Sequence, residues 1–142
     1  MNANGPLVDP AGRVLDFDGQ PLSAPWMKTW GVYWVASTHP ASREATAREV
    51  NRLVGLGADT LQFDDPTLQL YAGLYQAGDF NPATQRGFRA WLDANAPAAE
   101  RQRLGLGLDA LDNDYRAWLR RRHDVKDAAD YQRRFRTFPS TS

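Results

Sequence analysis

The sequence predicts a helix-dominated α/β fold in which a few parallel strands are flanked by amphipathic helices. An alternating segment at residues 57–63 directly follows an amphipathic helix, and an apolar segment at residues 32–36 precedes that helix. Strand, helix, glycine turn and strand form a βαβ unit, which implies parallel strands and a right-handed crossover. We expect this unit within a domain at residues 32–142, preceded by an irregular or hairpin segment at residues 1–31.

The N-terminal segment is rich in glycine, proline and aspartate and shows no helical period. Turn signals stand at residues 9–12 (Asp-Pro-Ala-Gly) and at Asp18-Gly19. Between them, residues 13–17 alternate weakly, which is typical of a hairpin or an extended segment. The run from Val32 to Ala36 is continuous and rich in aromatic and β-branched residues, so it predicts a strand.

The first helix is predicted to begin at His39-Pro40, because proline at the first helical position loses no hydrogen bond. Apolar residues recur at helical spacing in its second half, which indicates a half-buried stripe. They are Val50, Leu53 and Val54. Gly55 and Gly57 end the helix, as C-terminal glycines commonly do.

Further helices are predicted downstream. One begins at Asn81-Pro82, where asparagine is a good N-cap, and a short one begins near Pro97. The next is capped by Asp112 or Asn113, and a last amphipathic stretch covers residues 125–138. The predicted apolar stripes are Phe88, Trp91 and Leu92, then Tyr115, Trp118 and Leu119, then Ala128, Tyr131 and Phe135.

Composition excludes several classes of function. The 142 residues suit one domain, and the net charge of +0 argues against nucleic acid or an anionic membrane as partner. The basic residues of 116–136 alternate with aspartates, which favours a solvated helix surface. No cysteine is present, and no metal-ligand spacing or phosphate-binding loop occurs, so we expect neither metal nor cofactor. No membrane span or signal peptide is evident, which predicts a soluble, cytoplasmic protein as written.

Two acids end the predicted second strand and are the first candidates for chemistry. Neighbouring strand residues point to opposite faces, so alternation places Gln62 and Asp64 inward and Asp65 outward. The competing interpretation is that both aspartates cap the turn before Pro66. Aromatic side chains near this point suit the apolar faces of sugars, although for Trp34 a core position is favoured. The candidate binding rings are Trp34, Tyr71 and Tyr75.

His39, next to Ser37 and Thr38, has two interpretations. A serine–histidine pair is one arrangement of nucleophilic catalysis, but adjacent residues seldom reach the required geometry. Capping of the following helix is the favoured interpretation. His123, within a run of arginines, is predicted to be solvated.

Several phrases resemble barrel-type glycoside hydrolases, above all the β-galactosidase-like families. They are the helix and strand at residues 42–66, finishing in Phe-Asp-Asp-Pro, and the phrases at residues 88–92 and 114–119. The resemblance covers residues 30–136 and implies a partial (β/α) barrel acting on carbohydrate. Asp65 stands where those families carry a proton-donating glutamate, whereas alternation favours Asp64, and both alternatives stay open.

The resemblance implies a fragment or truncated relative of a glycoside hydrolase. A complete barrel needs roughly 250 residues, and hydrolysis needs two carboxylates in separate roles, so the isolated chain is expected to be inactive. Asp64 or Asp65 would serve as acid/base or sugar ligand, with Gln62 beneath and the three rings as walls. The alternative is a non-catalytic carbohydrate-binding or protein-interaction domain, which would form homo-oligomers by pairing exposed sheet edges.

Overall fold

A computed structural model describes residues 9–23, 25–62, 78–103 and 115–135 of the chain. Its helices within these ranges are α1 (Pro40–Gly55), α2 (Pro82–Asn95), α3 (Ala98–Arg103), α4 (Tyr115–His123) and α5 (Ala128–Phe135). Two 3-10 segments, Pro10–Gly12 and Pro25–Trp30, precede them. None of the helices described combines the length and apolar character that a bilayer span requires.

The predicted parallel sheet and partial barrel are wrong. The described residues are 62% helical and contain no β-strand. At the predicted strand of residues 32–36 the chain makes one isolated antiparallel bridge, between Arg13 and Val35. Residues 58–62 are irregular, and the predicted strand end from Phe63 onward lies outside the described residues. High β-propensity describes fit to a pleated surface, and without a paired neighbour it does not make a strand.

A triangle of backbone hydrogen bonds replaces the predicted sheet. Val14 N–H donates to the carbonyl of Trp34, Trp34 N–H to Leu22, and Leu22 N–H to Val14, each at 2.9 Å. The side chains of these three residues are buried together with Ala36 in one apolar cluster. Three short extended segments thus satisfy one another's backbone groups around a small core, where a sheet would need longer pairings.

A second, aromatic core forms on Phe17, which is 1% exposed. Its ring lies parallel to that of Tyr131, with 5.4 Å between ring centroids, and edge-on to Phe80 at the same distance. Leu119 and Val125 complete this cluster, which we call the aromatic core. Because Val14 and Phe17 enter different clusters, the N-terminal segment joins the two cores.

The predicted starts of the two long helices are confirmed, whereas the last helix begins at Ala128, three residues after the predicted start of its amphipathic stretch. Proline follows the N-cap in both long helices. The side chain of each N-cap accepts a hydrogen bond from the backbone N–H of the residue two positions later. The bonds are Ala41 N–H to His39 Nδ1 at 3.2 Å and Ala83 N–H to Asn81 Oδ1 at 2.9 Å. Helix α1 ends at Gly55, and Gly57, which follows the C-cap Leu56, has a φ of +93° in the left-handed region.

Two hydrogen bonds at the end of α1 form a Schellman motif. Gly57 N–H donates to Val54 O at 2.9 Å, and Ala58 N–H donates to Leu53 O at 3.1 Å. These bonds satisfy carbonyls that the end of the helix leaves without partners. The glycine predicted to end the helix therefore does so by adopting a backbone conformation that other residues rarely take.

The buried sides of the long helices differ from the predicted stripes. In α1 the buried residues are Ser42 and Ala45, while Val54 of the predicted stripe is 54% exposed. In α2, Leu92 is buried, yet Trp91 next to it is 58% exposed. The exposed rings of α2 therefore belong to the surface of the protein.

Candidate functional site

The structure separates the site residues predicted from the sequence. The acid and tyrosine candidates lie outside the described residues: Asp64, Asp65, Tyr71 and Tyr75. Gln62 is exposed at the end of the irregular segment after α1. Trp34 is only 2% exposed and makes an edge-on contact with Trp26 at 6.3 Å. Gln62 and Trp34 therefore do not line a common surface.

Both histidines have structural contacts. His39 caps α1, as the favoured interpretation predicted. His123 is exposed, but its ring lies edge-on to Trp118 at 5.1 Å and to Phe135 at 6.3 Å. Among the described residues, no cluster of histidine and carboxylate side chains is arranged to hold a metal ion.

Several basic residues of α4 and α5 also make structural contacts. Arg133 and Arg134 both pair with Asp130, which is 5% exposed. Burial alone would raise the pKa of Asp130, but the backbone N–H of Lys126 and the two guanidinium groups outweigh it and hold that pKa below its ordinary value. Arg120 lies over the ring of Phe17, 4.7 Å from the centroid. The pairs with Asp130 lie within α5, and the Arg120 contact joins α4 to the aromatic core.

A continuous row of rings crosses from α2 to α4, and we call it the aromatic face: Phe88, Trp91, Tyr115 and Trp118. Phe88 and Trp91 are parallel within 8°, with 6.4 Å between centroids. Phe88 meets Tyr115 edge-on at 5.7 Å. Tyr115 in turn stacks on Trp118 at 5.1 Å and 12°. Alternating stacked and edge-on contacts of this kind are the favoured geometries of aromatic pairs.

Packing on its inner side holds the aromatic face in place. Leu92 is buried against Trp118 and Ala96. Gln85 accepts a hydrogen bond from Tyr115 N–H at 2.7 Å and donates one to Phe80 O at 2.9 Å. One glutamine side chain thus connects α2 to the beginning of α4 and to the chain just before α2, so the rings are fixed relative to each other.

The outer side of the aromatic face is open. Trp91 is 58% exposed and Phe88 is 43% exposed. Gly87 lies one turn before Trp91 on the same side of α2, and a Cβ atom there would meet nothing within 4 Å. Asn95, one turn after Trp91, donates its side-chain amide to Trp91 O at 2.8 Å. Two exposed rings, with a glycine on one side and an amide on the other, therefore form this part of the protein surface.

Sequence reasoning placed Phe88 and Trp91 in a core stripe and missed their exposure. One signal was available in the pattern. On the helix surface Leu92 is the i+4 neighbour of Phe88, and Trp91 is the i+4 neighbour of Gly87. The row of Gly87 and Trp91 therefore lies beside the row of Phe88 and Leu92. A glycine inside a helix costs stability and has no packing reason of its own here, which marks that row as unusual.

No protein-family model matches this chain, and the comparisons with curated proteins and with solved structures give no match either. The resemblance to glycoside hydrolases therefore stays a prediction made from short motifs.

Proposed function

We propose that the protein is a non-catalytic carbohydrate-binding domain whose platform is the Phe88–Trp91 pair. The observation that carries the proposal is the parallel placement of two exposed rings on one side of a well-anchored helix. The C–H groups of a pyranose ring are weakly positive, and the faces of aromatic rings are weakly negative, so the two surfaces attract. Rings that are fixed before binding lose little conformational freedom when the sugar arrives.

The surroundings of the rings favour binding over catalysis. Hydrolysis needs two carboxylates at a set separation across the glycosidic bond. On the helix that carries the platform, Asp93 pairs with Arg101 at 2.5 Å and so already has a structural partner. Just before that helix, Asp79 accepts hydrogen bonds from Leu15 N–H and Thr84 Oγ1. Both acids thus have structural partners of their own.

The size of the platform favours a sugar over a protein partner. A stable protein interface buries about 800 Å² on each partner, which a pair of rings does not supply. Exposed positions of α2 on either side of the rings are charged or small, as at Arg86, Ala90 and Ala94. A protein-interaction domain is the alternative, and the experiment below distinguishes it.

The test follows the indole N–H signals of the five tryptophans by NMR while soluble polysaccharides of different composition are added to the full chain. We expect the Trp91 signal to shift with at least one of them. Trp91→Ala should weaken binding about tenfold or more, because stacking on one ring contributes on the order of 1–2 kcal/mol. Trp30→Ala is the matched control, since Trp30 is 74% exposed but lies outside the aromatic face.

A second variant guards against misfolding as the cause of lost binding. Gly87→Gln introduces a better helix former at an exposed position and places a side chain beside the rings. It should keep the fold and weaken sugar binding. Equal loss in the Trp30→Ala control, or no shift at Trp91 with any polysaccharide, would contradict the proposal. Hydrolysis of a chromogenic glycoside that Asp64→Asn abolishes would instead support the hydrolase prediction.

A further inference from the structure

We propose that the Phe88–Trp91 pair binds an uncharged polysaccharide and that Asn95 recognises the hydroxyl groups of that ligand. This inference rests on the proposed function and names the class of sugar that the platform takes. Two observations carry it. The neighbours of Trp91 on its own side of α2 are uncharged, and the exposed Asn95 side chain keeps a donor and an acceptor beside the rings.

The side of α2 that carries Trp91 has no charged residue next to this ring. Residues three and four positions away are its neighbours on the helix surface. These neighbours are Gly87, Phe88, Ala94 and Asn95. An anionic group placed on the rings would lose water without meeting a cation on this side of the helix, and such a loss is costly. A sugar that carries only hydroxyl groups avoids this cost.

The charged residues of α2 lie on the opposite side of the helix. Arg89 and Asp93 are each two positions from Trp91, and residues two positions apart point to nearly opposite sides of an α-helix. Asp93 accepts a hydrogen bond from Arg101 at 2.5 Å and lies 3.8 Å from Arg89. These charges therefore interact with one another and with α3, away from the two exposed rings.

Asn95 supplies hydrogen-bonding atoms next to the rings. Its Nδ2 donates to Trp91 O at 2.8 Å, which holds the amide one turn after Trp91, and the residue is exposed, so a ligand can approach it. A carboxamide has a second N–H and a carbonyl oxygen that remain for a ligand. Two neighbouring sugar hydroxyls match this pair, because each hydroxyl both donates and accepts. A carboxylate or sulfate only accepts, so it would leave Asn95 Oδ1 without a donor.

The test compares polysaccharides that share a backbone and differ in charge. The pairs are dextran with dextran sulfate, methyl-esterified with free polygalacturonate, and hydroxyethyl cellulose with carboxymethyl cellulose. Binding to the ¹⁵N-labelled full chain is followed at the indole N–H of Trp91 and the side-chain amide of Asn95, because the arginines of α4 attract polyanions independently of the rings.

The uncharged member of at least one pair should move both signals and bind about threefold or more tightly than its acidic partner, since the acidic group forfeits a hydrogen bond at Asn95. Raising the sodium chloride concentration should leave the affinity for the uncharged member unchanged, because no ion pair contributes to it.

Substitutions of Asn95 separate recognition from a structural role. Asn95→Ala should weaken binding of the uncharged polymer about tenfold, because two hydrogen bonds to the ligand are lost. Asn95→Lys should reverse the preference, because it places a cation beside the rings. Lysine in the last turn of a helix also suits the helix dipole, so this variant should keep the fold. Asn51→Ala, at an exposed position of α1, is the matched control and should bind as the unaltered chain does.

The outcomes distinguish this inference from the proposed function. If the acidic members bind at Trp91 as tightly as the uncharged ones, the preference for uncharged sugars is wrong, while the sugar platform stands. Unchanged affinity in Asn95→Ala, or an unchanged preference in Asn95→Lys, would remove Asn95 as the recognising residue. A Trp91 signal that no polysaccharide moves would contradict the proposed function and this inference together.

Discussion

Helices α1 and α2 begin in the same way and end differently. Each starts with a capping side chain followed by proline. The two starts lie side by side, since the hydroxyls of Thr38 and Thr84 are 2.7 Å apart. Both contact the same short segment near the N-terminus: Ser42 donates to Gly12 O at 3.1 Å, and Asn81 donates to Ala11 O at 2.8 Å.

Beyond their first turns the two helices have different surroundings. In α1 burial ends at Ala45, and after the last turn Leu56 is 72% exposed. In α2 burial continues to Leu92, which packs against Trp118 of α4. Local sequence therefore decides where each helix begins, and tertiary packing decides how much of its length has buried side chains. We expect the second half of α1 to open more readily than α2 does.

The largest expected effect is the difference in stability between substitutions of the two capping residues. Asn81 is 1% exposed, caps α2 and donates to two carbonyls at 2.8 Å. Asn81→Ala removes these bonds and the cap and leaves two partly buried acceptors without their donor, so it should lower the free energy of unfolding by about 3 kcal/mol. His39→Ala removes one cap bond of α1 and should cost under about 1 kcal/mol. Urea denaturation of both variants measures the difference.

Asn81→Ser separates the two parts of that effect. Serine keeps a capping oxygen and lacks the amide, so roughly two thirds of the loss should remain if the bonds to the N-terminal carbonyls matter most. Equal losses for Asn81→Ala and His39→Ala would contradict the difference between the two helix starts.

The next effect concerns the second halves of the helices. Leu92→Ala removes buried methyl groups beside Trp118 and should cost about 2 kcal/mol. Val54→Ala acts at a position that is 54% exposed and should change stability by less than about 0.5 kcal/mol. Chemical denaturation with each variant checks this. A loss at Val54 as large as that at Leu92 would mean that the apolar side of α1 is covered in solution.

The features that sequence predicted well are those set by neighbouring residues. His39-Pro40, Asn81-Pro82 and Gly57 mark helix ends because caps and left-handed glycines act within a few residues. The predicted strand at residues 32–36 was wrong because a strand needs a paired segment from elsewhere in the chain, and the described residues supply one bridge there, from Arg13 to Val35.

Which side of a helix is buried also depends on distant residues. The apolar stripe of α1 was expected inside, but the buried residues are the small Ser42 and Ala45, and Ser42 donates to Gly12 O in the N-terminal segment. Trp91 was expected in a core stripe and lies on the surface, because Leu92 meets α4 first. The candidate platform was therefore not predicted, although its residues were already named.

Alkaline pH should destabilise the aromatic core, which contains Tyr131, more than it destabilises the surroundings of α1. Burial, followed by the nearby Tyr115, raises the pKa of Tyr131 from 10.0 to about 12. The unfolded chain releases this proton at lower pH, so the stabilisation is complete below pH 10 and is lost as pH rises through about 12. With allowance for solvent screening at a partly exposed ring, the loss is on the order of 1.5 kcal/mol.

Urea denaturation at pH 9 and at pH 11.5 measures this loss, and Tyr131→Phe is the matched control. Phenylalanine keeps the ring that stacks on Phe17 and has no proton to release. The fall in the free energy of unfolding between the two pH values should be smaller in this variant, and the difference measures the contribution of Tyr131. An identical pH profile in both proteins would remove Tyr131 as the cause.

The smallest effects come from two glycines, and they should have opposite signs. Gly57 follows the C-cap of α1 and has a φ of +93°, so Gly57→Ala should cost about 1 kcal/mol through backbone strain, although a Cβ would meet no atom within 4 Å. Gly87 lies inside α2 with equally open space, so Gly87→Ala should gain up to about 1 kcal/mol. Thermal unfolding of both variants checks the signs. A loss at Gly87 would contradict the open space found beside this residue.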